Sequence, residues 1–94
     1  MRVRWTRKAL KNLVDEAEFI SRDNPQAAKK TAIRIQKVIE HLEKNPSLGR
    51  PGRVAGTREL IVPGTPYIIP YRVNKKNIEI LRLFHTSRKL PEEF

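Results

Sequence analysis

The sequence predicts an α+β fold in the order β-α-α-β-β-β, with a helical hairpin packed on one face of a small, largely antiparallel twisted sheet. Three observations lead there. Apolar residues recur at three- and four-residue spacing up to about residue 45, and at the two-residue spacing of strands beyond it. Asp23-Asn24-Pro25 leaves only about two residues between the two helical stretches, so these must lie antiparallel. The last three strand-like segments are joined by short turns, which favour antiparallel neighbours.

Residues 2–5 alternate, with Val3 and Trp5 on one side and Arg2 and Arg4 on the other, as in a half-buried strand. Thr6 can cap a helix over residues 7–22, because its hydroxyl takes an amide proton that the first turn leaves unpaired. Leu10, Leu13, Val14, Ala17 and Ile20 form the apolar stripe of that helix, with Phe19 beside it. Asn24 caps the second helix, residues 25–44, where Pro25 at the first position loses no hydrogen bond. Its stripe is Ala28, Ala32, Ile35, Ile39 and Leu42, with Val38 at the edge and Ile33 off it as a lone exposed side chain. Residues 46–57, rich in Pro and Gly, read as a loop.

Three strands follow at 58–62, 67–73 and 78–84, closed by Pro63-Gly64-Thr65-Pro66 and by Asn74-Lys75-Lys76-Asn77. The last is apolar on both faces except for Glu79 and Arg82, which places it centrally in the sheet. Pro70 lacks a ladder donor and predicts a bulge or an exposed backbone edge. In the second of these strands Tyr67, Ile69, Tyr71 and Val73 share one face, taken as core. Ile68, Pro70 and Arg72 share the other, taken as the face that two helices cannot cover.

The chain, residues 1–94, reads as one domain, small enough for its stability alone to be marginal. It has no cysteine, hence no disulfide or thiolate metal site, and no cofactor is expected. With no apolar stretch near the roughly 20 residues of a membrane span and no secretory signal, the cytoplasm is the expected compartment and a membrane is not an expected partner. Twenty Lys and Arg against ten Asp and Glu give a net charge of +10. That exceeds the roughly 2–8 that solubility asks for, and it favours polyanions: nucleic acid, the ribosome or an acidic protein. Residues 1–11 carry Arg2, Arg4, Arg7, Lys8 and Lys11 with no acid; from Arg50 onward nine cations face four glutamates.

No phosphate-binding glycine loop, HExxH helix, nucleophile elbow or thiol is present. His41 falls near the end of the second helix, where a cation suits the helix dipole. His85 ends the last strand and has the side chain to serve as a general acid or base near neutrality; the plainer reading is a partly exposed ring packed on the sheet.

Several segments in this order carry a resemblance. They are the basic strand entering Trp5-Thr6, the Arg22-Asp23-Asn24-Pro25 hinge, and Asn45-Pro46 with Gly49-Arg50-Pro51. Thr57-Arg58-Glu59-Leu60, Tyr67-Ile68-Ile69-Pro70-Tyr71-Arg72-Val73 and Ile78-Glu79-Ile80-Leu81-Arg82, closing on His85 and Arg88, complete the set. Over almost its whole length the chain resembles the RelE/ParE superfamily of type II toxin–antitoxin toxins, whose fold is the layout derived above. The resemblance implies growth inhibition by one of two routes, and silencing by a cognate acidic antitoxin whose C-terminal segment wraps the toxin. RelE-like members cleave mRNA in the ribosome; ParE-like members act on DNA gyrase without known chemistry of their own. For the RNA-cleaving route it implies His85 as acid or base, with Arg72, Arg82 and Arg88 stabilising charge on phosphorus. In RNA-cleaving members an arginine commonly follows the aromatic residue that opens the middle strand of this block. Here Ile68 follows Tyr67, a departure that favours the ParE-like reading, because a hydrocarbon cannot stabilise a phosphorane. A nucleic-acid-binding module without toxicity stands as a further alternative.

Overall fold

Thr6 organises the N-terminal third of the chain. Strand β1 (Arg2–Trp5) runs directly into it, and its hydroxyl accepts the Ala9 amide at 3.2 Å, capping helix α1 (Arg7–Asp23). Asn24 then serves two helices at once. Its amide donates to the Ile20 carbonyl at 2.9 Å, ending α1, and its Oδ1 accepts the Ala27 amide at 3.1 Å, starting helix α2 (Pro25–Lys44). The structure, a computed structural model, describes residues 1–87 and residue 94.

Five short strands follow: β2 (Arg50–Pro51), β3 (Arg58–Ile61), β4 (Tyr67–Asn74), β5 (Asn77–Ile80) and β6 (Phe84–His85). The order across the sheet is β1-β5-β4-β3-β2, with β6 beside the first residues of β4. Every pairing is antiparallel except β1 with β5, so the sheet is mixed. The two helices pack on one face. Ile35, Ile39 and Leu42 of α2 meet Leu60, Ile69, Tyr71, Ile78 and Ile80 of the sheet in a single buried cluster. The predicted architecture is therefore the observed one.

Four details differ from the sequence-based expectation. First, α1 is rolled. It turns Ala9, Leu13, Glu16 and Ile20 toward the sheet and leaves Leu10, Val14 and Ala17 exposed. The small Ala9, wholly buried, lets the first turn sit close to the sheet where Thr6 holds it, and that contact sets the helix's rotation. In α2, Ala32 is likewise exposed while Val38 is buried; Ile33 is exposed as expected.

Second, segment 78–84 is not one strand. Three residues, Leu81 to Leu83, oppose two on β4, Ile69 and Pro70, which is a bulge. Pro70 is its cause. The Pro70 carbonyl accepts the Leu81 amide at 2.9 Å, but proline has no amide proton to return to the Leu81 carbonyl. The Thr6 hydroxyl donates to that carbonyl instead, at 3.1 Å. One threonine thus caps α1 and completes the ladder that Pro70 breaks.

Third, the second sheet face is open only in part. Arg72 is exposed, but Ile68 and Pro70 are buried, and Val73 on the core face is exposed near the strand's end. Ile68 lies between its strand partners Ile61 and Phe84, and the Phe94 ring packs 5.9 Å from that of Phe84. Fourth, the loop 46–57 contains β2. Its later part folds back so that the Gly52 amide donates to Thr57 at 2.8 Å, closing over Glu59, the strand partner of Pro70.

Tyr71 ties α2 to the sheet through this loop. Its hydroxyl donates to the Pro46 carbonyl and accepts the Gly49 amide, each at 2.8 Å. Burial raises the phenol above its ordinary pKa, so it stays protonated as the donor. A Cβ on Gly49 would lie 2.6 Å from the Tyr71 ring, so only glycine fits there.

Candidate functional site

His85 lies on β6 opposite Tyr67, and their rings meet edge-on at 5.4 Å and 85°. Its Nδ1 accepts the Ser87 amide at 3.2 Å and lies 2.6 Å from the Ser87 hydroxyl. Nδ1 being the acceptor, the neutral ring carries its proton on Nε2. Half-buried and packed on the sheet, His85 has the environment of the plainer reading given above.

Two of the cations expected beside it, Arg72 and Arg82, are held elsewhere. Arg72 Nε donates to Glu79 Oε1 across the β4–β5 pair at 2.6 Å, and this contact holds the Glu79 carboxyl below its ordinary pKa. Arg72 is five residues along β4 from Tyr67, about 16 Å at roughly 3.3 Å per residue. Arg82 Nε donates to Asn12 Oδ1 of α1 at 2.8 Å, and its guanidinium sits 4.8 Å over the Phe84 ring. Consecutive strand residues point to opposite faces, so Arg82 goes with Phe84 and not with His85. Arg88 lies outside the described residues. The structure thus brings His85 to Tyr67, Arg72 to Glu79 and Arg82 to Asn12, and does not gather the three. His41 sits in the last turn of α2 as expected, on the wall of a groove described below.

Sequence reasoning missed a tighter electrostatic feature. Glu59 is 3% exposed, yet it is fully engaged. The Arg53 main-chain amide and Nε reach Oε2 at 3.0 and 2.8 Å, Arg53 NH2 reaches Oε1 at 3.1 Å, and Arg50 stands 3.5 Å away. The Arg53 hydrogen bonds outweigh the effect of burial and hold the Glu59 pKa at about 2. The available signal was that Glu59 is the one acid in the basic stretch 50–59. Asn12, which also accepts the Leu83 amide at 3.2 Å, left no comparable mark in the sequence.

Two concave surfaces border these residues. A groove of ≈ 590 Å³ runs between α2 and β3, with Val38, Leu48, Leu60 and Ile61 as its apolar wall and Lys44 and Arg50 at its rim. It adjoins a second hollow of ≈ 410 Å³ that shares Val38, His41 and Pro63 and adds Ile33, Lys30, Arg34 and Lys37. Among the described residues no three His, Asp or Glu side chains are placed to share a metal ion, and no helix is long and apolar enough to cross a membrane.

Known proteins share this arrangement. A family model described as the ParE toxin of the type II toxin–antitoxin system parDE matches residues 3–90. The candidate toxin Y4kP of Sinorhizobium fredii is 41% identical over 91 residues, 97% of this chain and 94% of that protein. Toxin RelE2 of Caulobacter vibrioides is 34% identical over 84 residues, 89% of this chain and 93% of that one. Among solved structures, the chromosomal ParDE toxin–antitoxin system of P. aeruginosa superimposes with a TM-score of 0.79 at 33% identity, covering 90% of this chain and 95% of that chain. The RelBE2 toxin–antitoxin complex of Mycobacterium tuberculosis gives 0.61 at 26% identity, with 89% and 95% covered. The family model, the relatives and the shared fold agree: this chain belongs to the ParE toxin family of type II toxin–antitoxin systems, within the RelE/ParE superfamily.

Proposed function

We propose that this toxin arrests growth by acting on DNA gyrase and has no catalytic activity of its own. The observation that carries the reading is Ile68. At the position where RNA-cleaving members of the superfamily commonly place an arginine, this chain has a side chain that is 2% exposed. Removing one group that stabilises developing charge is worth roughly 3–4 kcal/mol in such sites. Arg72, engaged with Glu79, and Arg82, engaged with Asn12, are not positioned to replace it. The ParE family match over residues 3–90 supports the same side. The test sets gyrase supercoiling and DNA-cleavage assays beside mRNA cleavage on programmed ribosomes. Purified toxin should inhibit supercoiling or accumulate cleaved DNA, and leave mRNA intact.

The second reading, ribosome-dependent mRNA cleavage, is favoured by His85 and by the kinship with toxin RelE2. In it His85 exchanges the proton while Arg72, Arg82 or Arg88 carries the phosphate charge. It requires His85→Ala to slow cleavage by about 10²–10⁴-fold. Codon-positioned cleavage with gyrase unaffected would reverse the ranking.

An acidic, partly disordered antitoxin is the proposed partner, seated in the groove between α2 and β3. The apolar wall with Lys30, Arg34, Lys37, Lys44 and Arg50 around it suits an acidic amphipathic segment that folds as it binds. Ile33 and Leu48 are 53% and 43% exposed, so replacing each by Asp leaves the fold intact while placing like charge against the partner. Ile33→Asp with Leu48→Asp should weaken co-purification with the adjacent gene product at least tenfold. Undiminished capture would move the antitoxin to another surface.

A further inference from the structure

The hairpin joining β4 and β5 carries the one non-glycine residue with positive φ among the described residues. Lys75 has φ +56°, in the left-handed region where a Cβ crowds the following carbonyl oxygen. Glycine is the unstrained choice there, and hairpins of this length favour it. This chain instead spends two consecutive turn positions on Lys75 and Lys76, both exposed.

The tip does not stand alone. The Arg2 amide donates to the Lys76 carbonyl at 3.3 Å, which places the start of β1 beside the tip. Arg2 and Arg4 follow at alternate positions of β1, on the face away from the helices, about 7 Å apart. Arg4 and Arg72 flank Glu79 from the two neighbouring strands, so all three lie in one row across the same face. Among the described residues, five cations (Arg2, Arg4, Arg72, Lys75 and Lys76) therefore share one continuous surface with a single acidic side chain, Glu79. Arg2, Arg4, Arg72 and both lysines are exposed. Among the described residues the surface presents charge and no fully exposed aromatic ring, since Phe84 and Phe94 are half-buried and pack against each other. Proteins that hold single strands stack the bases on aromatic side chains, whereas a duplex keeps its base faces stacked on one another and is held without sequence preference through its phosphates.

From this we propose that the uncovered sheet face, from Arg2 and Arg4 through Arg72 to the Lys75–Lys76 tip, binds the phosphate backbone of duplex DNA. Phosphate contacts fix position and carry no base sequence, so the binding is sequence-independent. The inference does not rest on gyrase as the target, since it concerns DNA free in solution. In a gyrase–DNA complex it would give the toxin a second hold.

The experiment measures binding of the purified chain to a fluorescent 20-base-pair duplex, and to single-stranded RNA with the same number of phosphates, between about 50 and 200 mM salt. A net of four cations predicts a slope of log K against log salt near −3 to −4 for the duplex, from about −0.9 per phosphate neutralised. Lys75→Gly with Lys76→Gln should reduce the slope by about two and the affinity at least tenfold. The glycine should at the same time raise Tm by about 4–8 °C, because it relieves the left-handed strain. Binding and stability then move in opposite directions, which rules out misfolding as the cause of lost affinity. Arg2→Gln with Arg4→Gln should lower affinity similarly. Unchanged duplex affinity and slope in both pairs, or tighter binding of the single-stranded RNA, would overturn the assignment.

Discussion

Replacing Ile68 with Arg will destabilise the toxin without creating a nuclease. The substitution restores the cation that RNA-cleaving members commonly carry at this position, so it is the natural attempt to convert one activity into the other. On an open sheet face it would be harmless. Ile68 is 2% exposed, however, and lies outside the main core in its own small cluster between Ile61 and Phe84. A guanidinium there must stay buried or displace Phe84. Either route loses about 3 kcal/mol or more, from a domain whose whole stability is of order 5–15 kcal/mol. At roughly 4–8 °C per kcal/mol in a domain this size, the melting temperature should drop by more than 10 °C. Thermal denaturation followed by circular dichroism, with the ribosome assay alongside, checks both halves. A variant that melts like the parent, or that gains mRNA cleavage, refutes the account of this face.

Tyr71→Ala should be comparably damaging, for a different reason. The ring is fully buried at the centre of the sheet, and truncating a large buried aromatic side chain typically loses about 3–5 kcal/mol. Tyr71→Phe separates packing from hydrogen bonding. It keeps the ring but leaves the Gly49 amide and the Pro46 carbonyl without their partner, a loss of about 1–3 kcal/mol. Urea denaturation of the three proteins orders them parent, Phe, Ala. If Phe and Ala lose equally, the hydroxyl holds the loop and the ring contributes little; if Phe matches the parent, the hydroxyl bridge carries no stability.

The fold was readable because its determinants are local. Asn24-Pro25 marks a helix boundary by chemistry confined to a few residues, and the helix limits follow to within a residue. What escaped the sequence depends on contacts distant in the chain. The periodicity of α1 admits both Leu10–Val14 and Ala9–Leu13 as the inner stripe, and only the docking of Thr6 on Leu81 selects between them. Pro70 announced a bulge, but not that the extra residue would fall in the opposite strand. Ile68 and Arg72 share strand parity, and alternation alone assigns them the same exposure. The difference between them comes from Phe84 and Phe94, which the pattern of β4 does not contain. At the candidate site, His85 and the arginines were identifiable as residue types, whereas their separate engagements with Tyr67, Glu79 and Asn12 are set by tertiary geometry.

The parallel pairing of β1 with β5 has a kinetic consequence. The first strand synthesised finds its partner only near the far end of the chain, and the Thr6–Leu81 bond spans 75 residues. Closing a flexible loop of that length opposes folding by about 4 kcal/mol of chain entropy, before any local contact offsets it. On a translating ribosome the helical hairpin can form early, since its contacts are near neighbours in sequence. β1 must wait until Leu81 has left the exit tunnel, and with it waits the row of Arg2 and Arg4 that only the finished sheet aligns with Arg72.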